Sequence, residues 1–285
     1  MPGLYVPGRG RQADGPERVE VDWGHPINRR LRGWWPFNQS ERYEPFEVVT
    51  KGQMIKDPAA LSYNIRNLET DRGWVMWGNS NGVGYLKTET SNYWAVSAGQ
   101  AYTFSAWVQN GTGDNDSGWE RVFSVPGGSI GMTVLGNSFG GGSWFVGSES
   151  TGAERASIGA TGDGIWDHVV VRGTWEDSGT EISKNGLTAS ATQSSDAAGS
   201  GSTGSTAFWF FQTASNQGRR YHGKVQNCRF WDRILEDGEV IELYHNPWVG
   251  HKDFFWQPAL NIQAAAAGGL SIPVAMRYYR NRRVA

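Results

Sequence analysis

"AYTFSAWVQN", residues 101–110, decides the fold. Tyr102, Phe104, Ala106 and Val108 alternate there with Thr103, Ser105, Trp107 and Gln109. Successive side chains of a strand point to opposite faces, so this period of two predicts a strand with one apolar and one mixed face. Comparable runs recur further along the chain: "ERVFSVPG" (120–127), "GSWFVGS" (142–148), "DHVVVRGTW" (167–175) and "TAFWFFQ" (206–212), each bounded by Gly, Ser or Asp. In "EISKNGLTASAT" (181–192), Asn185-Gly186 separates two β-compatible segments, the dipeptide that best suits a tight hairpin turn. Many short strands punctuated by turns predict an all-β, two-sheet antiparallel sandwich.

The same alternation governs "GWWPFN" (33–38). In a strand, Trp34 and Trp35 must point to opposite faces, so together they cannot form one flat platform. One is expected in the core and the other beneath a neighbouring loop or the N-terminal segment.

With 285 residues, 38% of them apolar and 13% aromatic, the chain can bury one large core with attached extensions. The 39 glycines favour frequent turns over long helices. One short helix is predicted late, in "RILEDGEVIELYHNPW" (233–248), where Val240, Leu243 and Tyr244 share a face, Ile241 lies beside them, and Glu239 and Glu242 point outward. Glu236 or Asp237 suits the N-terminal end, and Asn246-Pro247 ends it.

Cys228 is the sole cysteine, which excludes an internal disulfide and a multi-cysteine zinc site. No apolar run approaches the roughly 20 residues that span a bilayer, and "MPGLYVPGRGRQ" lacks the apolar centre of a signal peptide. The expectation is a protein made in a cytoplasm, with no membrane partner. The net charge of −2 is unevenly spread: residues 1–32 carry +2 and residues 257–285 carry +4, leaving −8 between them. An acidic body argues against nucleic acid as a partner, whereas basic ends suit an acidic protein surface. Residues 1–30 read as an extended arm, 31–256 as the globular domain, and 257–285 as a basic, apolar docking tail.

Four stretches, in order, resemble the laminin-G-like, concanavalin-A-like jelly rolls: "LRGWWPFN" (31–38), "YTFSAWVQ" (102–109), "GIWDHVVVRGTWEDSGTEISKNG" (164–186) and "GKVQNCRFWDRILEDGEVIELYHNPW" (223–248). The last is the most specific. Two positions depart from the pattern: Glu236 or Asp237 replaces a serine or threonine at the helix start, and the hairpin reads Ser183-Lys184-Asn185-Gly186 instead of Tyr-Val-Asn-Gly. The resemblance implies a jelly-roll sandwich and extends to domains encoded by bacteriophages and prophages.

This fold also houses glycoside hydrolases, whose strand motif Glu-x-Asp-x-x-Glu sets two carboxylates about the scissile bond. That string is missing, and the nearest acidic cluster, "EDGEVIE" (236–242), falls in the predicted helix. The expectation is a non-enzyme without a required cofactor. Asp114, Asn115 and Asp116 in "GTGDNDSGWE" (111–120) are candidate calcium ligands, although such loops are more often plain turns. The histidines His25, His168, His222, His245 and His251 have no metal-ligand spacing. Among the 15 tryptophans, Trp119, Trp144, Trp175 and Trp209 lie close to glycine-rich loops and are the candidates for stacking on a glycan; the alternative is that they fill sheet faces and subunit contacts.

Two functions follow. The first is a virion structural protein, a capsid decoration protein on a bacteriophage head, docked on the major capsid protein or another virion protein through Arg277, Tyr278, Tyr279, Arg280, Arg282 and Arg283. It would be a homo-oligomer, with a trimer suggested by other jelly-roll decoration proteins. The second is a carbohydrate-binding module, alone or as an adhesive tail-fibre component.

Overall fold

Residues 73–78 read "GWVMWG", and Val75 and Met76, adjacent in this strand, are both fully buried, as they must be where both sheet faces are covered. This computed structural model describes residues 20–37, 45, 47–56, 65–70, 73–78, 85–97, 99–111, 120–125, 132–137, 142–148, 154–175, 180–188, 206–211 and 221–252. Its strands are β1 (Leu31–Trp35), β2 (Ile55–Lys56), β3 (Ile65–Thr70), β4 (Gly73–Gly78), β5 (Leu86–Lys87), β6 (Ala101–Asn110), β7 (Glu120–Val125) and β8 (Met132–Asn137). They continue with β9 (Ser143–Ser148), β10 (Glu154–Gly159), β11 (Trp166–Thr174), β12 (Glu181–Lys184), β13 (Leu187–Thr188), β14 (Trp209–Phe210) and β15 (Gly223–Trp231), followed by helix α1 (Asp237–His245).

Two antiparallel sheets form. The first has eight strands in the order β13-β12-β11-β6-β15-β4-β3, with β1 also paired to β15; the second has seven in the order β10-β9-β8-β7-β14-β5-β2. The expected all-β jelly-roll sandwich with one late helix is the fold observed. Strand β15 serves two partners along one side, β4 at Gly223–Val225 and β1 at Cys228–Trp231. Between them its pairing to β6 shifts at a bulge, where Asn227 takes a left-handed φ of 52° and donates its N–H to Pro36 O at 2.9 Å.

Tyr102, Phe104, Ala106 and Val108 enter the main core as the alternation predicts. They meet the inner row of the second sheet, Leu86, Phe210, Phe123 and Leu135, and Phe104 stacks on Phe123 with centroids 4.1 Å apart. Trp35 joins this core, its ring 5.0 Å from Phe210 and 5.7 Å from Trp94. The ring folds back over Gly33, where a Cβ would lie 2.4 Å from Trp35 Cη2, so only glycine fits. Trp34 points the other way, into a second apolar layer with Leu31, Val170, Trp231, Leu235, Val240 and Leu243 between the first sheet and α1.

That second layer recruits more of the N-terminus than its composition suggests. Residues 20–30, read from sequence as part of an arm, pack on the body: Ile27 and Asn28 are buried, Trp231 Nε1 donates to Ile27 O at 2.7 Å, and Asn28 Nδ2 donates to Gly250 O at 2.6 Å. The reason is local. His25 Nδ1 accepts from Ile27 N at 3.3 Å at the start of a 3-10 turn over Pro26–Asn28, which presents an isoleucine that the Trp231 side covers. By compactness the chain falls into two units, Met1–His251 and Lys252–Ala285.

Helix α1 starts at Asp237 and ends before Asn246-Pro247, as expected. Glu239 is not a freely solvated side chain, however. Its carboxylate accepts from Glu236 N at 2.9 Å and pairs with Arg233 at 2.6 and 2.7 Å, holding the helix start to the segment that follows β15. Arg172 ties the same end to β12 and the preceding loop, donating to Glu181 at 3.0 and 3.1 Å, to Leu235 O at 2.8 Å and to Asp237. At the hairpin, Asn185 and Gly186 take φ of 53° and 77°, the left-handed pair that a two-residue turn requires. Asn185 Oδ1 accepts from His168 N at 2.8 Å and its Nδ2 donates to Asp167 at 3.0 Å.

Candidate functional site

Strand β5 sits one place in from the β2 edge of the seven-stranded sheet. Leu86 faces the core, so Tyr85 and Lys87, one residue to either side, share the outer face. On β14, Phe210 faces the core and Trp209 therefore points outward, directly across from Lys87. The register is pinned beyond the strand ends by Thr88, whose N–H donates to Phe208 O and whose Oγ1 accepts from Phe208 N, both at 3.0 Å. A Ser91–Thr206 bridge closes the same ladder.

The three outward side chains meet. The Tyr85 and Trp209 rings are 4.3 Å apart between centroids at 47°, and Lys87 Nζ lies 5.0 Å from the Trp209 centroid and 5.7 Å from that of Tyr85. All three residues are partly exposed, and Ile55, opposite Lys87 on β2, is 39% exposed. The aromatic pair contributes about 1 kcal/mol and each partly exposed cation–π contact about 0.5–1 kcal/mol, which help to hold the cluster in shape. Chemically it offers polarisable ring surface for C–H groups and a three-proton donor for oxygens.

Of the four tryptophans singled out in sequence, only Trp209 combines a described position with exposure. Trp144 and Trp175 are corrected: they are 1% and 4% exposed and belong to the core. Trp144 lies on the inward-facing register of β9 and donates Nε1 to Asp167 Oδ2 at 2.8 Å, while Trp175 meets Tyr102 edge-on at 5.9 Å. Glycine-rich neighbours made both look like loop residues, yet each belongs to the sandwich interior. Trp119, the Asp114-Asn115-Asp116 loop and the tail residues Arg277, Tyr278, Tyr279, Arg280, Arg282 and Arg283 lie outside the described residues.

Among the described residues no group of three or more His, Cys, Asp or Glu side chains could hold a metal ion. The buried acids are instead occupied with protein donors. Asp167 accepts from Trp144, Asn185 and both the N–H and hydroxyl of Thr161. Glu47 accepts from Trp34 N at 2.8 Å, Val49 N at 2.7 Å, and Thr50 N and Oγ1 at 2.5 Å each. Burial pushes the Glu47 carboxyl up despite these bonds. Among the histidines, His168 Nε2 lies 2.9 Å from Ser105 Oγ, and His222 Nδ1 is 3.3 Å from Glu120.

Residues 73–241 match the family model of the concanavalin A-like lectin/glucanases superfamily. The chain belongs to this superfamily. A comparison with curated protein sequences gives no match. Among solved structures, this superfamily member is similar to the binding domain of Paraclostridial Mosquitocidal Protein 1, with a TM-score of 0.56 and 12% identity over 76% of this chain and 52% of that one. It is also similar to Trypanosoma rangeli sialidase in complex with sialic acid (TM-score 0.52, 12% identity, 77% of this chain and 33% of that one). A third is domain 4 of an extracellular arabinanase from Geobacillus stearothermophilus in complex with arabinotriose (TM-score 0.50, 10% identity, 75% and 98%). The chain thus spans about a third of the sialidase and half of the mosquitocidal protein's chain. At such identities these likenesses establish the fold.

Sequence reading found Trp209 but missed Tyr85 and Lys87. The signal was weak: "GYLKT" (84–88) shows a single alternation, and its partner strand lies far away in the chain.

Proposed function

We propose that this domain is a non-catalytic glycan-binding module whose binding face is built on Trp209 and Tyr85, with Lys87 between β2 and β14. The observation that carries this is the outward aromatic pair at 4.3 Å with an ammonium beside both rings. Sugar rings present C–H faces that stack on aromatic surface, and their hydroxyls accept from an ammonium. Membership of a lectin and glucanase superfamily supports the reading, as do structural neighbours solved with sialic acid and with arabinotriose. The test is a glycan array on the purified protein and on Trp209→Ala: the wild type binds a subset of glycans and the variant loses it. Failure of the wild type to bind any saccharide overturns the reading.

A second reading concerns what carries the module. Val21 and His251 form an antiparallel bridge and Asp22 N donates to Gly250 O at 2.8 Å, which ties residues 21–22 to residues 250–251. The basic charge of the chain's two ends, +2 over residues 1–32 and +4 over residues 257–285, suits attachment to an acidic surface. We infer a virion structural role, a phage capsid decoration protein bound to the major capsid protein as a homo-oligomer, with Arg277, Tyr278, Tyr279, Arg280, Arg282 and Arg283 as the docking residues. Truncation after Gln263 then abolishes particle attachment while glycan binding survives; normal attachment of the truncated protein removes this reading.

A further inference from the structure

Lys87 is the unusual member of the cluster. Among the described residues no carboxylate pairs with it, although the chain between the basic ends carries −8. Its cross-strand neighbours are Ile55 and Trp209, neither of them acidic, and Glu89, two residues on, is exposed and makes no ion pair with it. The ammonium is held instead over two ring faces, at 5.0 and 5.7 Å. Such a contact fixes the position of a cation without neutralising it, so the charge stays available to an anion arriving from solvent. Acids more than about 8 Å away are largely screened from it at physiological salt.

Resting on the glycan-binding reading, we infer that the saccharide is acidic and that its charged unit is a hexuronate, with Lys87 pairing the sugar carboxylate while the sugar ring stacks on Trp209 or Tyr85. The carboxylate of a pyranose hexuronate is equatorial on C5, near the mean plane of the ring. Stacking the C–H face on the side of a ring that Lys87 does not cover leaves that carboxylate at the rim, within reach of the flexible lysine side chain that now lies 5.0 and 5.7 Å from the two ring centroids. The carboxylate of a sialoside is axial in the glycosidically linked form and projects from the ring plane, so the same stacking does not bring it to the rim. Lys87 is thus a specificity-determining residue and Trp209 the platform.

The experiment is calorimetric titration of the full chain with trigalacturonate and with its fully methyl-esterified form, which keeps the shape and removes the charge. 3′-Sialyllactose and lactose form a second matched pair. The wild type binds trigalacturonate about fivefold more tightly than the ester, the gain expected of a partly exposed ion pair, and Lys87→Gln brings the two to equal affinity while Lys87→Arg keeps the preference. Equal affinity for acid and ester in the wild type overturns the hexuronate inference and leaves the glycan-binding reading standing. Tighter binding of 3′-sialyllactose than of trigalacturonate also overturns it, in favour of a sialate. If the wild type binds none of these four and no glycan on the array, both readings fall together.

Discussion

The Arg229 guanidinium carbon lies 3.8 Å from the centroid of the Trp34 ring, and both side chains are fully buried. Arg229 donates to Pro247 O at 2.7 Å and Val249 O at 2.6 Å, and Trp34 Nε1 donates to Asn227 Oδ1 at 2.6 Å. A buried cation met by carbonyls and a ring face, with no carboxylate among the described residues to neutralise it, is costly, and burial pulls the Arg229 pKa down to about 9. It is retained where it clips the segment after α1 onto β15 and β1. Arg229→Met therefore takes the donor from Val249 O, leaves Pro247 O with Asn227 Nδ2 alone and uncovers the ring, and costs about 3 kcal/mol by denaturant titration. A loss below about 1 kcal/mol would show that the clip is dispensable.

Glu47 gives the fold a pH signature. Its carboxyl pKa is raised by burial, so the folded state holds a proton that the unfolded state releases in the window above the ordinary value of 4.5. Stability from this group is therefore greatest below that window and falls as pH rises through it. Glu47→Gln removes the slope. It also turns an amide N–H₂ toward the N–H groups of Trp34, Val49 or Thr50, at a cost of about 2 kcal/mol. Parallel stability-versus-pH curves for the two proteins would contradict this assignment.

The lone thiol reports on opening of the core. Cys228 is buried, and burial pushes its pKa well up, so neither access nor thiolate is available in the folded chain. Labelling by a thiol reagent under native conditions is expected to follow the rate or extent of unfolding. Labelling within the mixing time, without denaturant, would mean that the β1–β15 seam opens locally.

Gly33 tests the packing of the second tryptophan. Gly33→Ala drives a methyl into the Trp35 ring, which is enclosed by Trp94, Phe123, Phe208 and Phe210 and has no room to turn. Destabilisation of about 3 kcal/mol is expected from overpacking. Thermal melts of the variant overlapping the wild type would refute the placement of Trp35.

These residues also show what a sequence can and cannot reveal. The opposite faces of Trp34 and Trp35, the strand at 101–110, the Asn185-Gly186 turn and the late helix were all legible because each rests on chain-local geometry: a period of two, a period near 3.6, or a turn that demands left-handed φ. The burial of Trp144 and Trp175 was not, since a glycine-rich neighbourhood looks the same around a short core strand as around an exposed loop. Ile27 was hidden among prolines and charges until Trp231, far along the chain, supplied its cover. The Tyr85–Lys87–Trp209 cluster is the clearest case, because its existence depends on the pairing of β5 with β14, a long-range register that no local pattern encodes.

The central claim is that this outer-sheet cluster binds sugar, and the most direct measurement is glycan binding by Trp209→Ala beside Trp23→Ala. Trp23 is 60% exposed and lies outside the cluster, so it controls for the loss of an exposed tryptophan as such. The account predicts that Trp209→Ala loses at least about tenfold in affinity, as expected for removing a stacking platform, with a cooperative melt lowered by only a few degrees for the lost ring contacts, while Trp23→Ala binds as the wild type does. Full binding by Trp209→Ala, or loss in the Trp23 variant alone, would contradict it.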